Sequence, residues 1–269
     1  MAEQILTDIR PLRRSPLADL TDLMAQASVT GERGVRLREI PFLNMVGIRV
    51  QPGSDAAHTF TSVTGVPLPA GHGQVTGDTD TLAILWQGPD EFLLVSPDKL
   101  AAEIDLPGAR RARPDNDAAP ADAARAASDD AVPTRSAPDG AAGPAGGTDQ
   151  ENLGAALTLS THPLTQELSW AMAGHKQRSH VVDLSANRTT LELSGPSARA
   201  VLEKGCPLDL HPRVFGPGTA VSTTLGLVQV LLWQTDEQTW RIMPRSSFAV
   251  YIAQWLMDSM TEFASQEVA

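Results

Sequence analysis

Cysteine occurs once, at Cys206, so neither an internal disulfide nor a thiolate-rich metal site can form within these 269 residues. A single thiol suits a reducing compartment. Aromatic residues make up only 4% of the chain, and no run approaches the roughly 18 consecutive apolar residues of a membrane-spanning helix. The amino-terminal MAEQILTDIRPLRRSPLADL is too charged and too interrupted by proline to hold the apolar centre of a signal peptide. With no secretory route, the match of Asn187, Arg188 and Thr189 to a glycosylation sequon carries no meaning. Basic residues are also in short supply: Lys+Arg 21 against Asp+Glu 32 gives a net charge of -11, which repels nucleic-acid phosphates and anionic lipid head groups. A soluble cytoplasmic protein is expected, with neither nucleic acid nor membrane among its partners.

Recognised catalytic and cofactor signatures are missing as well. The stretch Gly71-His72-Gly73-Gln74-Val75-Thr76-Gly77 fits neither the phosphate loop, which needs a lysine, nor the dinucleotide fingerprint, and it reads as a loop. Ser197 stands in Gly-Pro-Ser-Ala-Arg and lacks the second glycine of a nucleophile elbow. Cys206, beside Pro207 after an apolar helix face, reads as a small buried filler. The histidines His58, His72, His162, His175, His180 and His211 are scattered, and His175 and His180 miss the one-turn spacing that brings two imidazoles to one metal. No catalytic, cofactor-binding or metal-ligating residue is therefore assigned to this chain.

What is present is a repeated plan. Between 105 and 152 the chain is almost entirely Ala, Pro, Asp, Gly and Arg, with Leu106 and Val132 its only large aliphatics up to Gln150. Such a segment buries too little apolar surface to offset its ordering entropy and is expected to be a disordered insertion. It separates two similar halves, 37–104 and 153–262, of one domain over 37–262, with 1–36 as an amino-terminal extension and 263–269 as a tail. The first half has an alternating Ile48-Arg49-Val50 strand, a helix over Ser54 to Val63, and a hairpin from Leu82 to Pro97 around Gly88-Pro89-Asp90. The second has Leu191-Glu192-Leu193, a helix over Pro196 to Glu203, and a hairpin from Leu227 to Pro244 around Thr235 to Gln238. Closing helices follow: one displaced by the insertion to Pro163–Trp170, the other with Phe248, Tyr251, Ile252, Trp255 and Leu256 at helical spacing. The expected fold is α+β, two βαββα-type halves with mainly antiparallel sheets and helices on one side of each. Neither half has much core alone, so the two sheets should associate as one pseudo-symmetric unit.

The most polar part of the plan is VVDLSANRTTLELSGPSARAVLEKGCPLDL, residues 181 to 210. Most of its polar residues have structural work in this reading. Ser194 is the expected cap of the helix, Pro196 sits near its first position, and Gly205 ends it in the left-handed conformation. Arg188, in a turn, either pairs with Asp183 or Glu192 or clamps a carboxylate on a partner. Asp209, past a helix C-terminus, gains nothing from the helix dipole and is either a turn cap or a reactive carboxylate.

The segments LREIPFLNMVGIRV, Val66 to Pro69, ILWQGPDEFLLVSP, VVDLSANRTTLELSGPSARAVLEKGCPLDLHP and MPRSSFAVYIAQWL together resemble the gamma subunits of heterotetrameric sarcosine oxidases, across both halves but not the insertion or the first thirty or so residues. The resemblance implies the aminomethyltransferase (folate-binding domain)-like fold. It implies an accessory chain without cofactor, packed on an alpha subunit, with FAD, FMN, NAD, tetrahydrofolate and zinc in the alpha, beta and delta partners of a complex that demethylates sarcosine. Asp209 falls where aminomethyltransferases have a functional Asp and is carried over as a position only. Leu225 to Gln234 departs from the Gly-Gly-x-Ile-Asp-Asp-like segment of those enzymes, and their additional carboxy-terminal domain is missing. A free-standing folate-dependent one-carbon enzyme centred on Asp209 is the alternative.

Overall fold

A computed structural model describes residues 13–97, 162–173, 175 and 178–264. The insertion expected at 105–152 lies outside the described residues, and of the tail only Phe263 and Ala264 fall within them, as the end of a helix.

After helix α1 (Thr21–Ala27), the first half contains β1 (Arg36–Ile40), β2 (Asn44–Val50), α2 (Asp55–Thr64), β3 (Val75–Gly77), β4 (Ala83–Trp86), β5 (Glu91–Ser96) and α3 (Pro163–Ala173). The second contains β6 (Ser179–Asp183), β7 (Thr190–Ser194), α4 (Ala198–Glu203), β8 (Thr219–Leu225), β9 (Val228–Asp236), β10 (Thr239–Pro244) and α5 (Ala249–Ala264). Both halves thus run ββαβββα, one strand richer at each hairpin than the hydropathy suggested. The sheets have matching orders, β6-β2-β5-β4-β3 and β1-β7-β10-β9-β8, with every neighbouring pair antiparallel. Each half places its first strand at the edge of the other half's sheet. The duplication is consequently a swap as well as a repeat, and it ties the two sheets by covalent chain.

Strand periodicity then builds four layers. On its outer face the first sheet presents Val46, Ile48, Phe92 and Leu94 to Phe60 of α2 and Leu168 of α3. The second presents Leu193, Trp240 and Ile242 to Val201 of α4 and to Ile252 and Leu256 of α5. Leu17 and Met24, ahead of β1, enter this same cluster. The inner faces meet through Met45, Leu85, Leu93 and Val95 on one side and Ala220, Leu231, Trp233 and Met243 on the other. The order is helix, sheet, sheet, helix, so the helices do lie on one side of each sheet and the sheets associate as expected. Apolar burial at both the outer and inner faces explains why the interior strands β5 and β9 read as near-continuous hydrophobic runs rather than alternating ones.

Local starts and stops follow from named residues. Helix α2 begins at Ser54, whose side chain accepts the Ala57 N–H at 3.2 Å, and ends at Gly65 with φ 71°. Helix α4 differs from expectation. Ser194 remains in β7, and Gly195, at φ 120°, turns the chain so that Ser197, not Ser194, precedes the helix. The Ser197 hydroxyl donates to Arg33 O at 3.0 Å and gives the helix no side-chain cap. Gly205 is not left-handed. A Cβ there would lie 2.5 Å from Trp255 Cζ2, so glycine is required by the close approach of the indole. The loop expected at Gly71–Gly77 ends as the edge strand β3, and Gly73 O accepts the Ala220 N–H at 2.9 Å, joining the two sheets at their β3 and β8 edges.

Candidate functional site

The polar residues of 181–210 are spread through the fold and not gathered into one site. Asp183, at the end of β6, accepts the His162 N–H at 3.0 Å through one oxygen and the Ser185 N–H at 2.9 Å through the other. The His162 Nδ1 in turn accepts the Leu164 N–H at 3.2 Å. Asp183 and His162 together therefore terminate α3 at its N-terminal end, where a carboxylate is favoured by the helix dipole. Arg188 pairs with neither Asp183 nor Glu192. Its guanidinium donates to Met243 O at 2.8 Å, and burial, followed by the nearby Arg245 charge, holds its pKa below the ordinary arginine value. Asp183 is already engaged by main-chain donors and Glu192 by Arg38, so the main-chain carbonyl is the acceptor left within reach.

Asp209 is exposed, and its carboxylate accepts the His211 N–H at 2.9 Å, two residues ahead. That is the Asx turn, one of the two roles the sequence allowed it. Cys206 is buried, with its Sγ 4.0 Å from Thr223 Oγ1, as a small filler would be. His72 stacks edge-on to Trp86 at 5.4 Å. Among the described residues no three His, Cys, Asp or Glu side chains are grouped to hold a metal ion. None of their helices is long and apolar enough to cross a membrane.

Sequence reasoning missed one charged constellation between the sheets. Glu192 lies opposite Arg38 on one neighbour strand and opposite Arg241 on the other. Arg38 Nε donates to Glu192 Oε1 at 2.6 Å. Arg241 is buried, with its guanidinium carbon 5.1 Å from the centre of the Trp233 ring. Burial lowers the Arg241 pKa from its usual value, while the Glu192 and Asp80 charges work against that shift. A guanidinium held this way stays cationic and has no proton to exchange near neutral pH. The row Arg38–Glu192–Arg241–Trp233 therefore sets the Glu192 carboxylate between two arginines and compensates charge beneath the inner faces of the sheets. Its signal was the alternation Arg, Glu, Arg at strand-centre positions, visible only once β1 is known to join β7.

The surface offers a different feature. Sequence periodicity placed Phe248, Tyr251, Ile252, Trp255 and Leu256 on one stripe. The structure divides it: Ile252 and Leu256 are buried with Ala249, Ala253 and Met260, whereas Phe248 and Tyr251 are 46% and 42% exposed. The small side chains of Ala249 and Ala253 let α5 lie close to the sheet, so the core needs only part of the stripe. Leu227, 92% exposed at the Gly226-Leu227 turn between β8 and β9, is next to it. Gly226 brings that turn against Tyr251 and Trp255: a Cβ at Gly226 would lie 3.6 Å from both Tyr251 Oη and Trp255 Nε1. Phe248, Tyr251 and the half-buried Trp255 recur at i, i+3 and i+7 along this flank, with exposed Leu227 in the turn whose Gly226 lies beside Tyr251 and Trp255.

The profile of the sarcosine oxidase, gamma subunit family matches residues 160–262. Over its full length the chain is 38% identical to the sarcosine oxidase subunit gamma of Corynebacterium sp. (strain U-96), covering 100% of both chains. It is equally 38% identical to that of Arthrobacter sp., again over 100% of both. The first residues and the insertion are included, so the likeness extends beyond the two halves to which the motifs confined it. A chain of the heterotetrameric sarcosine oxidase from Corynebacterium sp. U-96, solved in complex with pyrrole 2-carboxylate, superposes with a TM-score of 0.70 at 38% identity, covering 96% of this chain and 100% of that one. The glycine cleavage system aminomethyltransferase T from Bartonella henselae superposes with a TM-score of 0.48 at 15% identity, covering 93% of this chain and 58% of that one. Shared sequence from end to end, together with a shared fold over the whole of the solved subunit, establishes that the chain belongs to the sarcosine oxidase gamma subunit family.

Proposed function

We propose that this chain is the accessory subunit of a cytoplasmic heterotetrameric sarcosine oxidase, holds no cofactor of its own, and packs directly on the alpha subunit. The beta and delta subunits complete the assembly, and FAD, FMN, NAD, tetrahydrofolate and zinc belong to those partners. The assembly oxidatively demethylates sarcosine to glycine, giving formaldehyde or methylenetetrahydrofolate and hydrogen peroxide. Residues 37–262, interrupted by 105–152, act in it as one unit, and Leu17, Met24, Val35 and Phe263 from the expected extensions enter its core.

The observation that carries this reading is the full-length likeness to gamma subunits, one of them a chain of a solved heterotetramer. The apolar surface of Leu227, Phe248, Tyr251 and Trp255 supports it, because exposed aromatic and aliphatic side chains grouped in this way favour burial against another protein. Aromatic anchors near the centre of an interface supply most of its binding energy, each truncation costing about 2 kcal/mol or more. The double variant Leu227→Asp, Tyr251→Ser tests the reading. Both side chains are exposed, so the fold and melting temperature should be retained while co-elution with the alpha, beta and delta subunits is lost. Co-elution unchanged from wild type would remove this surface from the contact.

A further inference from the structure

Three buried polar atoms without a hydrogen-bond partner among the described residues lie on one face of one sheet. They are Thr190 Oγ1 on β7, Arg241 Nε on β10 and Trp233 Nε1 on β9. Their strand neighbours Leu191, Trp240, Ile242 and Leu232 enter the outer core, so all three side chains point to the inner face, between the sheets. Trp233 lies opposite Arg241 in the register, with the guanidinium carbon 5.1 Å from its ring centre. Glu192 lies opposite Arg241 on the other side, and Thr190 is two residues from it on the same face. Buried polar groups are almost always paired, because an unpaired one is costly where water cannot replace the partner.

Arg241 is the sharpest case. The residue is 9% exposed, and among the described residues neither a hydrogen bond nor an ion pair holds its guanidinium. Of its three nitrogens only Nε is sealed from solvent, so the two Nη atoms remain within reach of a ligand. Glu192 stands between two arginines but bonds only one of them: Arg38 Nε at 2.6 Å and Arg38 Nη2 at 2.5 Å both meet Glu192 Oε1. Arg38, Glu192 and Arg241 together therefore carry one positive charge in excess. Exposed Asp80, on the loop between β3 and β4, acts on Arg241 only from a distance and forms no ion pair with it.

We infer that Arg241, with the unpaired Trp233 N–H as a neighbouring donor, receives one small carboxylate, either a compact free acid or a single Asp or Glu side chain of a partner subunit. Guanidinium Nε and Nη form a fork that matches the two oxygens of a carboxylate. An ordered water would fill the hydrogen bonds and leave the excess charge standing, whereas a carboxylate answers both. The small exposed fraction of Arg241 excludes a bulky ligand.

The test is thermal unfolding of the full-length chain in sodium acetate, against sodium chloride at equal ionic strength, for wild type and Arg241→Met. At about a hundredfold excess over its dissociation constant, acetate should raise the wild-type melting temperature by at least about 5 °C. Arg241→Met keeps an apolar side chain of similar length and removes the fork, so it should shift by less than about 1 °C. Arg241→Gln serves if the Met variant does not fold. Retention of the variant in the four-subunit assembly then names the source: retention like wild type assigns a free acid, and about tenfold weaker retention assigns a partner's carboxylate. Only this arm rests on the subunit reading, and a chain that joins no partner defeats that reading while the acetate result stands. The inference is overturned if acetate acts on wild type no more than chloride does, or equally on wild type and Arg241→Met. Acetate that acts only on Asp80→Asn also overturns it, because the loop's own carboxylate is then the acceptor.

Discussion

Gly195 joins β7 to α4 and is where the exchanged strand β1 is locked to its adopted sheet. Its N–H donates to Gln238 O at 2.9 Å, and two residues on the Ser197 N–H donates to Gly34 O at 3.1 Å. In Gly195→Ala the new Cβ would stand 2.5 Å from Gly34 O and 3.1 Å from Gly34 C, both main-chain atoms that cannot rotate away. The backbone is also at φ 120°, which an L side chain rarely adopts and which costs about 1–3 kcal/mol. Displacing packed backbone adds about 1–3 kcal/mol, and the stiffer unfolded chain returns about 0.4–1 kcal/mol. The expected net loss is about 2–5 kcal/mol. Gly53→Ala is the matched control, since Gly53 has φ 76° with nothing within 4 Å of its Cβ position. Equilibrium urea unfolding, followed by tryptophan fluorescence, to which the buried Trp233 and Trp240 contribute, should separate the two variants by at least about 1.5 kcal/mol at unchanged slope. If they lose the same amount, the close approach of Gly195 to Gly34 does not hold β1 in place, and the reasoning fails.

Asp209→Asn keeps an acceptor for the His211 N–H, so it should shift stability by less than about 0.5 kcal/mol, whereas Asp209→Ala should cost about 0.5–1.5 kcal/mol in the same unfolding assay. Isothermal calorimetry with tetrahydrofolate should give the same null result for the wild-type chain and Asp209→Asn; binding that Asp209→Asn abolishes would restore the alternative of a folate enzyme. The Lys204 hydrogen bond and charge hold the Glu262 carboxyl below its ordinary pKa. A depressed carboxylate contributes stability above its unfolded pKa and loses it as pH falls through the folded value, so wild type should lose its advantage over Glu262→Gln below about pH 4, read as converging melting temperatures.

The sequence revealed the hairpins because apolar runs flank the turn residues Gly88-Pro89-Asp90 and Thr235 to Gln238, and it revealed α5 because Phe248, Tyr251, Ile252, Trp255 and Leu256 recur at helical spacing. Strands β3 and β8 were hidden for a physical reason. Both are sheet edges, and Thr219-Ala220-Val221-Ser222-Thr223-Thr224-Leu225 is largely polar, with too little burial to print a strand pattern. The exchange of β1 and β6 was invisible because alternation records which face is buried and carries no information on which sheet receives it. Leu227 read as the first residue of an apolar strand, and only the left-handed Gly226, at φ 58°, makes it a turn tip in solvent. Arg188 illustrates the same limit. Two carboxylates lie near it in sequence, yet both are occupied by donors that the fold brings from elsewhere, and its acceptor comes from β10.

The subunit reading meets its most direct test in co-expression of the alpha, beta and delta subunits with and without this chain, followed by size-exclusion chromatography and a sarcosine-dependent peroxide assay. The account predicts stoichiometric co-elution of this chain, and loss of assembled, active oxidase when it is omitted. A chain that elutes alone and folded, beside partners that assemble and turn over sarcosine fully without it, would contradict the account.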